Sequence, residues 1–256
     1  MVLNQATVML WLGHFLWPFL RVTGLCLTAP IYGSNMVPNT VKAALAAVYA
    51  AALAMWLPNL PAFPGDPASA IYAGITQIAY GALLGLVMQI VILAVASTGE
   101  IAGLAMGLSF AELQFRESPG VTPVLYNIML WAGLLGFLAA GGPVWLFVAI
   151  AHSFEAGVGL PDIQSWTAVM SLGGTLISSA VCLAMPVLAV TLCVNLTVGL
   201  TTVFSPQMNL LTIGFPLLVL AGLWVMAGST GYLGHMVAQL MDQGMALLSN
   251  MIARQR

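Results

Sequence analysis

The sequence predicts an all-α, polytopic membrane protein built from about six long hydrophobic helices, some of them broken. Of its 256 residues, 61% are apolar and only 5% are charged, whereas a soluble domain has roughly 25% charged residues. So few charges cannot solvate the surface of a chain of this size, and lipid or other protein must cover most of the outside. Long apolar stretches, separated by turn-forming residues, set the number of helices.

Six apolar stretches follow one another along the chain. The first ends at Pro30, and the second is followed by a loop with four prolines between residues 58 and 67. A charged segment follows the third stretch, a polar connection at residues 155–165 follows the fourth, and residues 205–209 break the pattern after the fifth. The stretches cover about residues 8–29, 41–57, 71–107, 124–151, 169–203 and 211–232, and an amphipathic tail continues to Arg256.

The third, fourth and fifth stretches are longer than a bilayer requires. A helix needs about 20 residues to cross the hydrocarbon core, and each of these stretches is well above that length. Either the helices break, or they extend into a protein assembly beyond the membrane. Gly141, Gly142 and Pro143 are a candidate break in the fourth stretch, and Pro186 is a candidate break in the fifth.

Motifs typical of several other classes of function are absent from the sequence. No internal repeat divides the chain, so residues 1–256 are expected to form a single membrane domain surrounded by lipid. No tract rich in Lys and Arg is present, which argues against a nucleic-acid partner. The three histidines and three cysteines are scattered, and no nucleotide-binding or hydrolase motif occurs. We therefore predict no catalytic residue, no metal site and no cofactor.

Glycines recur at helical spacing within the third stretch. Gly99, Gly103 and Gly107 are four residues apart, and Gly81 and Gly85 form a second pair. This spacing produces a smooth stripe on a helix, where a neighbouring backbone can approach closely. Ordinary packing between helices of the chain is one explanation. The second explanation is packing against another subunit, and two such motifs in one overlong helix favour it. The residues concerned are Gly81, Gly85, Gly99 and Gly103.

Two ionisable residues lie inside apolar stretches and are predicted to be buried. Arg21 is midway along the first stretch, where its guanidinium must either extend to the membrane surface or face protein, water or a carboxylate. Glu100 lies beside the glycine stripe, and the third stretch contains no other Asp, Glu, His or Lys. A proton relay normally needs such partners, so a structural or lumen-facing role is favoured for Glu100.

A block near the end of the fifth stretch carries a family resemblance. It reads Pro206, Gln207, Met208, Asn209 and continues after four residues with Gly214, Phe215, Pro216. This block resembles the FliR family, the flagellar member of the type III secretion export gate. Residues 15–21, residues 77–85 with Gly99 and Glu100, Met106 with Gly107, and residues 251–254 are also similar to the family pattern. Val203 stands where members often have arginine, which indicates a divergent member.

The resemblance implies a partner set and a location. Members assemble with FliP-like and FliQ-like subunits, and an FlhB-like subunit is expected as a further partner. The family fold is similar to one FliP-like and one FliQ-like unit fused in one chain. The assembly lies in the bacterial inner membrane within the flagellar basal body, extends beyond the bilayer plane, and encloses a channel for unfolded export substrates.

The segment at residues 106–122 is expected to plug that channel, as the corresponding loop does in the family. It follows the longest apolar stretch and combines clustered charge, aromatic bulk and flexible glycine backbone. Gating elements come from the less stable parts of a fold, although an ordinary solvated loop would also explain the pattern. The candidate plug residues are Met106, Gly107, Phe110, Glu112, Phe115, Arg116 and Glu117.

Two alternatives to the flagellar gate remain open in the sequence. The homologous subunit of the virulence-associated injectisome is the nearer one, and the Gly214-Phe215-Pro216 run favours the flagellar branch over it. A secondary transporter for a small molecule would use Arg21 and Glu100 as its buried ionisable pair. Such transporters usually show repeated halves, which this sequence lacks.

Overall fold

Helices make up the regular structure of the protein. The computed structural model describes residues 5–34, 37–57, 60–108, 123–155, 163–204 and 214–253, and these ranges contain no β-strand. The prediction of an all-α fold is therefore confirmed. The eight helices within the described ranges are α1 (Gln5–Thr28), α2 (Asn39–Trp56), α3 (Pro67–Ala105), α4 (Val124–Ala139), α5 (Gly142–Glu155), α6 (Ile163–Phe204), α7 (Phe215–Gly228) and α8 (Thr230–Ala253).

The described helices provide four to six candidate membrane spans. Four of them, α1, α2, α3 and α6, are each long and apolar enough to cross a membrane alone. The pair α4 and α5 is bent by 61°, and the pair α7 and α8 is bent by 64°. When each bent pair counts as one span, the total agrees with the prediction of about six helices, some of them broken.

The break in the fourth stretch lies where the sequence predicts it. Gly141 adopts a φ of +69°, a left-handed conformation that a residue with a Cβ rarely takes. α5 then begins at Gly142, with Pro143 in its first turn. At that position proline costs no hydrogen bond, because the first N–H groups of a helix have no partner inside the helix.

The predicted break at Pro186 is wrong. α6 runs without interruption from Ile163 to Phe204 and contains Pro186 in its interior. A proline removes one backbone N–H from the helix. Unwinding the helix inside hydrocarbon would leave many more backbone groups without partners, so the continuous helix is the less costly arrangement.

Local chemistry also explains the start of α3. Asp66 precedes α3, and its Oδ2 accepts a hydrogen bond of 3.1 Å from the backbone N–H of Ser69. This contact satisfies one of the N–H groups that every helix N-terminus leaves exposed. Pro67 occupies the first helical position, where its fixed φ suits the helix.

The described chain divides into two compact units, and the first contains the N-terminal hairpin. It comprises Met1–Val91, Phe137–Leu172 and Met241–Arg256. Within it, α1 and α2 pack against each other. Trp17 is buried, donates a 3.0 Å hydrogen bond from Nε1 to the carbonyl oxygen of Pro61, and stacks on Phe63. Tyr49 of α2 and Phe147 of α5 place their ring centroids 4.8 Å apart.

The second unit contains the C-terminal end of α3 and the helices that surround it. It comprises Ile92–Gly136 and Gly173–Leu240. Its apolar cluster is formed by the buried residues Ala102, Met106, Leu125 and Val187, with the partly buried Leu108, Val225 and Met226 packed on them. The assignment of residues 1–256 to a single domain stays a prediction.

Candidate functional site

A buried arginine organises the polar interior of the first unit. Arg21, midway along α1, has no exposed surface. Its Nε donates a 2.8 Å hydrogen bond to Oε1 of Gln77 on α3, and its Nη1 donates a 2.7 Å bond to Oγ of Ser153 on α5. Ser153 in turn donates a 2.6 Å bond to the carbonyl oxygen of Ile150. The guanidinium therefore bonds to two other helices rather than extending to the membrane surface.

Two aromatic rings also lie against this guanidinium. The central carbon of the Arg21 guanidinium lies 3.9 Å from the ring centroid of Phe154 and 4.4 Å from that of Tyr80. Both distances are within the range in which the negative face of a ring attracts a cation. We refer to Arg21, Gln77, Tyr80, Ser153 and Phe154 as the Arg21 cage. Because a buried charge is costly unless it is well bonded, the cage stabilises one particular arrangement of α1, α3 and α5.

Glu100 differs from Arg21, and its burial within an assembly stays a prediction. Its side chain is exposed on the surface of the isolated chain. The reason is the register of α3: the adjacent Gly99 occupies the packed side of the helix, and one residue further rotates the side chain by about 100°. The two ionisable residues belong to different units, and the described contacts of Arg21 lie within its own unit.

The glycines at positions 81 and 85 contact the chain's own first helix. A Cβ at Gly81 would collide with the carbonyl group of Arg21, and a Cβ at Gly85 would lie 2.7 Å from the backbone nitrogen of Ala29. Gly24 of α1 contributes the reciprocal approach, because a Cβ there would collide with the carbonyl group of Ile78 on α3. The prediction that this pair packs against another subunit is therefore corrected: it allows α1 and α3 to touch.

The second glycine pair also packs inside the chain. A Cβ at Gly99 would collide with the carbonyl group of Leu125 on α4, whereas a Cβ at Gly103 would lie 3.7 Å from the Leu125 side chain, an ordinary contact. The close approach of α3 and α4 thus depends on Gly99. Gly103 faces the same helix, but a Cβ there would fit without a collision. In this chain both residues therefore face α4, whereas the sequence favoured another subunit as their partner.

The start of the predicted plug segment has a well-defined structure. Met106 is completely buried in the apolar cluster of the second unit, and its side chain lies against Gly222 of α7, where a Cβ would be 2.5 Å from the Met106 Cε atom. Gly107 has a φ of +77° and turns the chain at the end of α3. The other predicted plug residues, Phe110, Glu112, Phe115, Arg116 and Glu117, lie outside the described residues.

The family block is described only in its second half. Pro206, Gln207, Met208 and Asn209 lie outside the described residues. Gly214 is buried and precedes α7, which begins at Phe215 with Pro216 in its first turn. The Gly-Phe-Pro run therefore acts as a helix start, for the same reason as Pro67 and Pro143.

Several residues of these sites were not identified as partners from the sequence. Gln77 and Ser153 bind Arg21, Gly24 faces α3, and Gly222 accommodates Met106. The sequence contains weak indications of two of these contacts. Gln77 is a polar amide inside an apolar stretch, and Gly24 lies one turn after Arg21 on the same helix. A polar residue in a membrane helix usually faces protein, although sequence alone does not identify its partner.

Comparisons with known proteins agree on one family. The family described as "Bacterial export proteins, family 1" matches residues 12–244. The chain is 35% identical over 248 residues to a protein of Escherichia coli (strain K12), covering 95% of this chain and 94% of that one. It is 30% identical to a protein of Pectobacterium carotovorum, covering 86% and 85%, and 27% identical to one of Aquifex aeolicus, covering 81% of each. All three relatives are named flagellar biosynthetic protein FliR.

Proposed function

Because this chain belongs to the FliR family of bacterial export proteins, we propose that it is a non-catalytic, membrane-embedded subunit of the flagellar protein-export gate. The observation that carries the proposal is the extent of the match, which runs from α1 into α8. The flagellar names of the relatives favour a flagellar system over an injectisome. The transporter alternative is less well supported, since Glu100 is exposed on the isolated chain and Arg21 is bonded to Gln77 and Ser153.

The surface of α6 supports assembly with other subunits. This helix has 42 residues, which corresponds to about 63 Å at 1.5 Å per residue, about twice the thickness of the hydrocarbon core. No side chain between residues 192 and 204 is buried, and Leu196 and Phe204 are 66% and 85% exposed. A bilayer is too thin to cover an apolar helix of that length, which supports the proposal that other subunits cover part of it.

The partners in this proposal are FliP-like and FliQ-like gate subunits, with an FlhB-like subunit as a further neighbour. The assembled gate would lie in the inner membrane within the flagellar basal body and extend beyond the bilayer plane. In it, this chain would correspond to one FliP-like and one FliQ-like unit fused together. Expression of the chain alone, compared with co-expression with these partners, tests assembly: we expect a monodisperse species in detergent only with the partners present.

Channel closure is the second part of the proposal. Met106 anchors the end of α3 in the apolar cluster, and Gly107 redirects the chain immediately afterwards. A plug needs such a fixed point of attachment, because a loop without one would not return to the same closed position. In this proposal Met106 serves as the anchor, and Phe110, Glu112, Phe115, Arg116 and Glu117 occupy the channel until an unfolded substrate displaces them.

The test is deletion of residues 112–119 from the chain within an assembled complex reconstituted in a planar bilayer. We expect a larger ion conductance at rest, with assembly confirmed by size-exclusion chromatography. Replacement of residues 156–162 by a Gly/Ser segment of equal length is the control, since it changes another connection between helices and should leave conductance unaltered. An intact complex with unchanged conductance after the deletion would show that residues 112–119 are an ordinary loop.

A further inference from the structure

Several features of α1 disfavour its crossing a membrane by itself. The mean hydropathy of its candidate span is half that of the α3 span. Pro18 lies inside the helix and removes one backbone N–H, and Arg21 follows three residues later. An arginine at the centre of a span lowers the ratio of inserted to uninserted helix on the order of 100-fold. α1 therefore requires contacts beyond its own sequence to be stable in the bilayer.

The hairpin of α1 and α2 contains no carboxylate that could compensate the charge of Arg21. No Asp or Glu precedes Asp66 in the sequence. The acceptors described for the guanidinium come from later helices: Gln77 of α3 is 56 residues further on, and Ser153 of α5 is 132 residues further on. The two rings of the Arg21 cage belong to the same two helices. The groups of the cage that stabilise this cation are therefore supplied by α3 and α5.

Two other polar side chains of α1 show the same dependence on later segments. Nε1 of Trp17 donates its hydrogen bond to the carbonyl oxygen of Pro61, in the chain that follows α2. The hydroxyl oxygen of Thr28 lies 2.8 Å from the carbonyl oxygen of Ala82 on α3, closer than the 3.5 Å to the carbonyl oxygen of Gly24 in its own helix. Because an unsatisfied polar group in hydrocarbon is costly, these bonds favour insertion of α1 beside α3 over insertion alone.

We propose that α1 is a conditional membrane span, which enters the bilayer only when α3 and α5 are in place to accept the hydrogen bonds of Arg21. Arg21 would thereby couple the position of the N-terminus to completion of the Arg21 cage. An incomplete chain would keep α1 outside the hydrocarbon core. This inference does not depend on the export function, since it concerns how the chain itself folds in the membrane.

The side of the membrane on which the N-terminus lies reports whether α1 spans it. A peptide tag at the N-terminus of the full-length chain lies opposite the α1–α2 connection when α1 is inserted, and on the same side when it is not. Bacterial cells that produce the chain and the proposed partner subunits are pulse-labelled and converted to right-side-out and inverted vesicles. Digestion of the tag by added protease is then compared between the two preparations. Pulse labelling records the topology before unstable chains are degraded.

Gln77→Leu combined with Ser153→Ala removes both acceptors. We expect the ratio of inserted to uninserted α1 to fall more than about tenfold, because two bonds that offset the cost of inserting Arg21 are lost. Thr76→Val is the matched control, since Thr76 is buried next to Gln77 and its hydroxyl donates to the carbonyl oxygen of Ala73 within α3. An unchanged topology of the double variant, or an equal change in Thr76→Val, would overturn the proposal.

Arg21→Leu provides the converse test. Leucine needs no acceptor, so adding Arg21→Leu to the double variant should return the tag to the side on which it lies in the wild type. This restoration separates conditional insertion from general destabilisation, because it adds no stabilising bond to the cage. A tag that stays on the other side would contradict the proposal, since the loss of insertion would then not depend on the charge of Arg21.

Discussion

Nε of Arg21 donates a 2.8 Å hydrogen bond to Oε1 of Gln77, which lies 56 residues further along the chain on a different helix. Both side chains are completely buried. Removing the acceptor would leave a buried charged donor with one unsatisfied N–H, and such a group costs more than the bond itself contributes. The bond is therefore the most sensitive point at which to test the Arg21 cage.

Gln77→Leu should lower the stability of the chain by about 1–3 kcal/mol, because the Arg21 N–H loses its acceptor. The measurement is thermal unfolding of the detergent-solubilised complex, followed in a double-mutant cycle with Arg21→Met. Since Met has no donor to leave unsatisfied, the double variant should lose less than the sum of the two single losses. Strictly additive losses would show that the two side chains do not act together.

Gly81→Ala should strongly reduce the accumulation of folded protein. The new Cβ would collide with the carbonyl group of Arg21, and neither backbone can move without separating α1 from α3. Gly74→Ala on the same helix is the matched control, because its Cβ would meet the Leu20 Cδ1 atom at an ordinary 3.5 Å. Protein levels in the membrane fraction, measured by immunoblot, should fall only for Gly81→Ala. Similar levels for both variants would contradict the close approach of the two helices.

The two glycines that face α4 should respond differently to the same substitution. Gly99→Ala places a methyl group against the carbonyl of Leu125, whereas Gly103→Ala meets only the Leu125 side chain at 3.7 Å. We expect Gly99→Ala to impair assembly of the complex and Gly103→Ala to assemble normally, as judged by co-purification. Gly103→Leu should again impair assembly, because the larger side chain exceeds the available space. The reverse order of the two alanine variants would be inconsistent with this packing.

Gly107→Ala should disturb closure of the channel. Gly107 has a φ of +77°, and a residue with a Cβ in the left-handed region costs on the order of 1–3 kcal/mol. Gly141→Ala is the matched control, because Gly141 has a similar φ of +69° at the bend between α4 and α5. Resting conductance of the reconstituted complex should rise for Gly107→Ala alone. An equal rise in both variants would indicate general destabilisation rather than a role for the turn after Met106.

Glu100→Gln should leave both assembly and export intact. Glu100 is exposed on the isolated chain, and no other Asp, Glu, His or Lys lies in its apolar stretch. The amide retains the shape and hydrogen bonding of the side chain while removing its charge. Secretion of a flagellar export substrate into the medium is the readout, with motility as a second measure. Loss of export with a normally assembled complex would establish that the charge of Glu100 is required.

The approximate number of membrane spans, their approximate bounds and one bend follow from local patterns in the sequence. The bend at Gly141 was predictable because a Gly-Gly-Pro run interrupts an apolar stretch. Pro186 also interrupts an apolar stretch of the sequence, but the helix does not break there, since α6 continues through it. The difference is that glycine permits a left-handed turn, whereas a single proline inside hydrocarbon leaves continued helix as the better-bonded choice.

Composition and the long apolar stretches by themselves determined that this chain is a polytopic helical membrane protein, because a continuous apolar segment of about 20 residues in lipid satisfies its backbone groups within its own helix. The spacing of Gly81 and Gly99 likewise indicated that another backbone can approach there. Only the tertiary structure decided which elements meet at these positions. Gly81 contacts α1 and Gly99 contacts α4, and Gln77 and Ser153 are the hydrogen-bond partners of Arg21. Hydrogen bonding within a helix depends on residues four positions apart, whereas these contacts join residues from 26 to 132 positions apart, which no local pattern specifies.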